Sequence, residues 1–355
     1  MGITPDRKPG PLLEDQEIRF SSNNTGPTQA GAFNYNGANF VFRDAAGSFN
    51  PRTSSLPGGN IIWVLDGGSY ATLQAAVDAA SDQSILLVGP KASSGSWGSV
   101  TFSAGKRLAL IALGAKCGEH VKVDSISFAP NTGLNILLNT VYVRGVFVNN
   151  SFVGTQGVYF GGSAPARLRL QDCYIYNSGA SGNGVVSDNG NSASSLYLDN
   201  CLIQSGTVGN GAGIGVKHVR GYTNIKNGCE VNRFQYQLQC AAGTVEVLNT
   251  LLDGTGNANE VVTIQGGLVT VGYSTIKNTT ANSSGVMLSN AGASLGMGDA
   301  TFSIATGTGY CVNGVTGTYF LYGRITYSHT SLTPYNVKVK TGITTAPVTQ
   351  AFTLA

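Results

Sequence analysis

The carboxylates of the central part of the chain are the residues whose type suits catalysis. Asp172, Asp188, Asp199, Glu230, Glu246, Asp253, Glu260 and Asp299 lie along it. Cleaving a polysaccharide takes two cooperating carboxyl groups, or an acid beside a cation site and a basic residue. Asp199 falls one residue before Asn200, which repeats the position of Asp172, so the two acids can approach one another across one repeat. They are the candidate catalytic pair. Asp172 and Asp299 also sit where Asn and Gly stand in other repeats, and a turn residue needs no chemistry to explain it. One repeat further on, Asn227 and Gly228 carry no charge to complete a constellation.

Arg167 and Arg169 beside Asp172 suit an acidic sugar, and Tyr174, Tyr176 and Tyr197 suit stacking on sugar rings or on a second subunit. Arg167, Arg169, Tyr174 and Tyr197 are therefore the candidate glycan contacts, set against the plainer reading of a solvated strand face. His120, His218 and His329 are scattered and read as surface or turn residues. The six cysteines fit no zinc spacing, and Cys173, Cys201 and Cys229 read best as an inward ladder of small apolar residues. Their even number leaves disulfides open. No metal or cofactor is expected.

These residues sit in a pattern written three times: Leu168-Arg-Leu-Gln-Asp-Cys-Tyr-Ile175, Leu196-Tyr-Leu-Asp-Asn-Cys-Leu-Ile203 and Ile225-Lys-Asn-Gly-Cys-Glu-Val231. The cysteines fix the register, since 201 − 173 and 229 − 201 are both 28. Alternation of apolar and polar residues gives strands with one buried face, and Asp172, Asn200 and Gly228 tolerate a left-handed turn. Ile225 stands one residue out of step. Weaker copies place turns at Asn139, Asn249 and Asp299, while Tyr273 breaks the turn rule. A second recurring strand appears as Gly157-Val-Tyr-Phe160, Gly184-Val-Val-Ser187 and Gly285-Val-Met-Leu288. Two or more short strands per repeat, without helical periodicity, predict an all-β parallel solenoid whose coils bury one another's apolar faces.

The rest of the chain bounds the answer. Charged residues make up 11% and the net charge is +3, with no basic cluster of the kind that grips nucleic acid. No apolar run approaches the roughly 18 residues of a membrane span, so no membrane insertion is expected. Met1-Gly-Ile-Thr-Pro-Asp-Arg-Lys lacks an export signal. Residues 1–57 read as an arm with a hairpin at Asn36-Gly37, across which Phe33, Tyr35, Phe40 and Phe42 pair. Residues 58–330 form the solenoid, with a capping helix over 70–80. Residues 331–355, which leave the repeat after Tyr327, form a strand-like tail that caps the end or crosses to a neighbour.

The helix Tyr70-Ala-Thr-Leu-Gln-Ala-Ala-Val-Asp-Ala-Ala80, then Ser84-Ile-Leu-Leu-Val-Gly-Pro90 and Ala104-Gly-Lys-Arg-Leu-Ala-Leu-Ile111, resemble the opening of pectin-lyase-like right-handed parallel β-helices. The resemblance covers roughly residues 60–330, and such proteins include polysaccharide lyases, glycoside hydrolases and bacteriophage tailspikes. The arm, from Pro5-Asp-Arg-Lys-Pro-Gly-Pro-Leu12 to Phe42-Arg-Asp-Ala-Ala-Gly-Ser-Phe-Asn-Pro-Arg52, resembles attachment segments of tailed-phage structural proteins. With the missing export signal, the poor catalytic inventory and an arm too small to fold alone, they imply a non-enzymatic virion component, assembled in the host cytoplasm. It would be a homotrimeric spike, fibre or decoration whose arm, through Phe33, Tyr35, Phe40 and Phe42, docks on other virion proteins of capsid, neck or tail. The alternative they imply is a tailspike that binds or depolymerises a host surface glycan.

Overall fold

The computed structural model describes residues 61–314, apart from 92–94, 114–120, 133–134, 137–138, 207–212, 257–258, 280–282 and 305–310, together with backbone strands on either side. The body is a parallel β-solenoid of about 9 turns. Each complete turn contributes one strand to each of three sheets, of 12, 10 and 10 strands. Arg167–Gln171, Tyr174–Asn177 and Asn183–Asp188 make one turn; Ser195–Asp199, Leu202–Ser205 and Ile214–Arg220 make the next. Each eight-residue copy of the sequence motif is thus a corner joining two strands, the first in the 12-stranded sheet and the second in another.

Burial of apolar surface drives the stacking. Leu110, Val143, Leu170, Leu198, Ile225, Val247 and Val271 fall in one inward row of the 12-stranded sheet. All are buried. Ile225 pairs with Leu198, so the third copy keeps strand register; its extra residue is absorbed by a corner of two left-handed residues, Asn227 (φ 59) and Gly228 (φ 86).

The same corner recurs at Gly145, Asp172, Asn200, Asn249, Tyr273 and Asp299, all at positive φ. Two expectations are corrected here. In the turn of Thr140–Arg144 the left-handed residue is Gly145; Asn139 is wholly buried before that strand, its amide serving Gly105, Thr132 and Pro165. Tyr273 does not break the turn but adopts it, at φ 51 with its ring exposed.

After each corner comes a small buried residue: Val146, Cys173, Cys201, Cys229, Thr250, Ser274 and Ala300. Most of these side chains do one task. Cys173, Thr250 and Ser274 donate to the carbonyl two residues back, at 3.3, 3.0 and 2.7 Å, and Cys201 does so at 3.5 Å. Cys229 reaches Lys226 O, three back, at 3.1 Å because its corner is longer. The position calls for a small side chain able to give a second hydrogen bond to a carbonyl that already accepts from the corner N–H of the preceding turn. Gln171 O accepts in this way from Gly145 N, and Asp199 O from Asp172 N, which is why Cys, Thr and Ser interchange there. The five described cysteines are free. Hydrogen bonding to the stacked thiols of Cys173 and Cys229, together with burial, holds Cys201 well above the usual thiol range.

The helix is Leu73–Ala79, shorter than 70–80 because Thr72 is its N-cap, with Oγ1 accepting from Ala75 N at 3.1 Å. Leu73, Ala76, Val77 and Ala80 are buried against the first strands. Gln74 uses its side-chain amide as a strand would. Nε2 donates to Thr101 O at 2.9 Å and Oε1 accepts from Thr101 N at 2.7 Å, on the edge strand Val100–Phe102 of the third sheet. Unpaired edges invite association with other chains. Gln74→Ala is expected to cost about 1 kcal/mol of stability, by the usual value of such bonds, and to raise self-association. A thermal melt paired with light scattering checks both.

The chain divides into Met1–Pro57 and Gly58–Ala355. In the first unit Phe33–Tyr35, Phe40–Asp44 and Gly47–Phe49 form an antiparallel sheet in which Phe33 is registered with Phe42 and Tyr35 with Phe40. The turn residues 36–39 and the side chains of these strands lie outside the described residues. Beyond Tyr327, backbone strands Val337–Val339, Thr344–Thr345 and Thr353–Leu354 pair in parallel with strands of the preceding turn.

Candidate functional site

Strand alternation turns every second side chain of the 12-stranded sheet outward, and the parallel register lines these up from turn to turn. The central outward row is Tyr142, Arg169, Tyr197, Asn224 and Glu246. It is flanked by Thr140, Arg167, Ser195 and Tyr222 on one side and by Arg144, Gln171, Asp199 and Lys226 on the other. Arg169 lies 5.8 Å from the centre of the Tyr142 ring, and Arg167 and Lys226 each lie 6.0 Å from that of Tyr197. Such contacts contribute about 0.5–1 kcal/mol each where exposed. Tyr197 meets Tyr222 edge-on at 6.0 Å. Tyr222 donates to Glu246 at 2.5 Å, and burial with that bond pushes its phenol up to about 12. Arg167, Arg169 and Tyr197 therefore share one basic, aromatic face.

Asp172 and Asp199 stand on adjacent turns, close enough that Asp172 N donates to Asp199 O at 3.0 Å. Each side chain is already engaged. Asp172 accepts from Arg144 Nε at 2.9 Å and from Asn200 Nδ2 at 2.8 Å. Asp199, nearly buried, accepts from Arg169 at 2.7 Å and from Asn227 Nδ2 at 2.8 Å. In each case the arginine is one turn before and the asparagine one turn after, so the carboxylate fastens three consecutive turns. Asp188 with Arg220 (2.6 Å) and Asp253 with Lys277 (2.9 Å) tie neighbouring turns in the same way. Exposed pairs of this kind contribute about 0–1 kcal/mol each.

Tyr174 is separated from Tyr197 by the corner. It lies on the second sheet, stacked on Phe147 with centroids 4.8 Å apart, its hydroxyl donating to Gln204 Oε1 at 2.6 Å. With Asp172, Asn200, Leu202, Gly228 and Glu230 it walls a shallow recess of about 260 Å³. The four glycan candidates thus divide between two surfaces.

Tyr142, Tyr222, Asn224 and Glu246 belong to the basic face but escape a motif centred on cysteines, and Lys226, which lies in its third copy, carries no sign there of facing them. The signal that finds them is the register itself, counted outward from Arg169 and Tyr197. His218 corrects the surface reading: it is fully buried, with Nδ1 2.9 Å from Thr223 Oγ1. His120 lies outside the described residues, as does the side chain of His329. Among the described residues no group of three or more His, Cys, Asp or Glu is placed to hold a metal ion, and no helix is long and apolar enough to cross a membrane. No protein-family model, curated protein or solved structure matches the chain.

Proposed function

We propose that the chain is a structural component of a bacteriophage particle: a β-solenoid spike, fibre or decoration of the pectin-lyase-like right-handed kind. In this reading it is assembled as a homotrimer and held to other virion proteins by residues 1–57. The observation that carries the structural part is the use of the acids. Asp172 and Asp199, the pair best spaced for catalysis, are each committed to an arginine and an asparagine of adjacent turns. A general acid or nucleophile needs a carboxyl group free to meet substrate. Each of these already accepts two hydrogen bonds within the coil, Asp172 at the edge of the shallow recess and Asp199 nearly buried. The phage setting draws its support from the likeness of the arm to attachment segments. The trimer draws it from the weakly charged faces, since homo-oligomers close by symmetry.

A second reading, a tailspike that binds or cleaves host surface glycan, is favoured by the basic, aromatic face of Arg167, Arg169 and Tyr197. Incubation with purified capsule or lipopolysaccharide separates the two, with reducing ends and unsaturated sugars followed over time. The expected result is no turnover. Turnover that is lost in both Asp172→Asn and Asp199→Asn overturns the structural reading in favour of the enzyme. In the same preparation, light scattering is expected to give three times the 36.6 kDa chain mass. A chain lacking residues 1–57 is expected to fold but to be absent from particles.

A further inference from the structure

Four arginines of the body each reach an aspartate of a neighbouring turn or segment: Arg107 to Asp82, Arg144 to Asp172, Arg169 to Asp199 and Arg220 to Asp188. Among the described residues, Arg167 and Arg233 have no carboxylate partner. Arg233 is exposed and solvated. Arg167 is half-buried, and its Nε is shut off from water with no hydrogen-bond partner. Its register neighbours, Thr140 and Ser195, carry no charge. With Nε shut in, the guanidinium can take an anion only through its two terminal nitrogens, which have no hydrogen-bond partner.

The same side chain borders an open recess. Arg107, Thr140 and Arg167 are successive positions of one outward row, and the short threonine leaves a gap between the two arginines. That gap is part of this open recess of about 290 Å³, lined also by Gln83, Ile85 and Ala109. The size is near the lower bound for small-molecule sites, enough for one sugar-sized unit. Asp82 grips Arg107 through both carboxylate oxygens, so the uncompensated charge in the recess is that of Arg167. Gln83 is held at φ 66, a left-handed backbone that a non-glycine residue adopts at some cost.

The geometry points to an oxyanion-binding subsite at this recess, taking the carboxylate or phosphate group of a hydroxyl-bearing ligand. The planar guanidinium fork of Arg167 would donate to two oxygens at once, which a lysine cannot reproduce. Thr140, whose hydroxyl donates to Ile136 O at 2.8 Å and can still accept, and Gln83 line the same recess and would meet the ligand's hydroxyls. The Tyr197 ring, its centre 6.0 Å from the guanidinium, restrains the fork. The site stands independently of the virion reading and of any turnover, because it needs neither a particle nor a reaction.

The test follows the arginine Nε–H resonances of the ¹⁵N-labelled full chain, that of Arg167 being assigned as the signal missing in Arg167→Lys. Inorganic phosphate, glucuronate and glucose are titrated separately at constant ionic strength. Phosphate or glucuronate is expected to shift the Arg167 signal saturably while glucose leaves it in place. In Arg167→Lys, binding followed by calorimetry is expected to weaken at least tenfold, while Arg233→Lys binds as the parent does. Saturation by phosphate alone assigns the recess to a phosphate-bearing ligand, by glucuronate alone to an acidic sugar, and by both to either oxyanion. Saturation by neither, an equal response to glucose, or equal shifts at Arg167 and Arg233 overturns the assignment.

Discussion

Gly215→Val is expected to destabilise the solenoid by about 3 kcal/mol or more. Gly215 lies in Ile214–Arg220, facing the interior where the second and third sheets meet. A Cβ there would stand 2.3 Å from Val231 Cγ1, 2.7 Å from Gln237 O and 3.1 Å from Phe234 Cδ2. Gly184, one turn earlier, is as crowded: its Cβ would lie 2.6 Å from both Gly215 O and Ile203 Cγ2, and 3.1 Å from Phe234 Cζ. The two glycines leave the space that the fully buried Phe234 ring fills. Overpacking a core costs about 1–3 kcal/mol where neighbours can move. Here one obstacle is a backbone carbonyl, so the cost should reach or exceed the upper figure, a large fraction of a typical domain stability of about 5–15 kcal/mol. Urea unfolding gives the answer, with Gly292→Ala as the control because nothing lies within 4 Å of its added Cβ. Equal midpoints for Gly215→Val and the parent would show that Phe234 does not pack as described.

The second large effect is expected on acidification. His218 is fully buried, its Nε2 has no partner, and burial lowers its pKa from 6.5 to about 4. The groups around it carry no compensating charge. Thr223 and Ser187 are joined to it through hydroxyls, and Cys240, its register partner, is kept a thiol by burial that pushes it up to about 12. The unfolded chain binds a proton on this histidine below about pH 6.5, whereas the folded chain resists until about pH 4. Stability is therefore full above pH 6.5 and falls as the pH drops towards 4. At about 1.4 kcal/mol per pH unit, the loss across that window approaches 3 kcal/mol. His218→Gln removes the titrating group, so its unfolding midpoint should change less between pH 7 and pH 4.5 than that of the parent. Parallel pH profiles for the two proteins would show that the acid sensitivity arises elsewhere.

Much of this architecture was legible in the residues, because a stacked coil repeats its physical demands. Leu168, Leu196 and Ile225 mark the inward face, and Asp172 and Asn200 mark a corner where a left-handed residue is needed, so the solenoid follows from their spacing. Where a side chain can serve two masters the pattern blurs. Asn139 looks like a corner residue but spends its amide on three backbone partners, while Gly145, the true corner, has no side chain to advertise it. Tyr273 occupies a strained conformation because the parallel ladder on either side imposes it, against the residue's own preference. His218 reads as polar and hence exposed; its burial depends on Thr223 and Ser187, which are near it only after the sheets close. The site was half legible for a related reason. The proximity of Asp172 and Asp199 follows from the period, but their engagement by Arg144, Arg169, Asn200 and Asn227 is a property of the neighbouring turns, which the acids' own motif does not contain.

The small residue after each corner has an evolutionary consequence. Cys173, Cys201 and Cys229 occupy equivalent places and serve equivalent carbonyls, so a crossover between the gene segments encoding any two of them excises or duplicates a whole coil. Excising residues 173–200 would rejoin Asp172 directly to Cys201, a left-handed corner to a small donor, with the inward rows of all three sheets still in phase. An excision one residue shorter or longer would need a corner like Asn227-Gly228 to take up the slack, or it would turn a strand's apolar face outward. Proteins built on this plan should therefore grow and shrink by tandem duplication and loss of complete coils, and the exchange of Cys, Thr, Ser, Ala and Val at one position is the kind of divergence that such copies would accumulate.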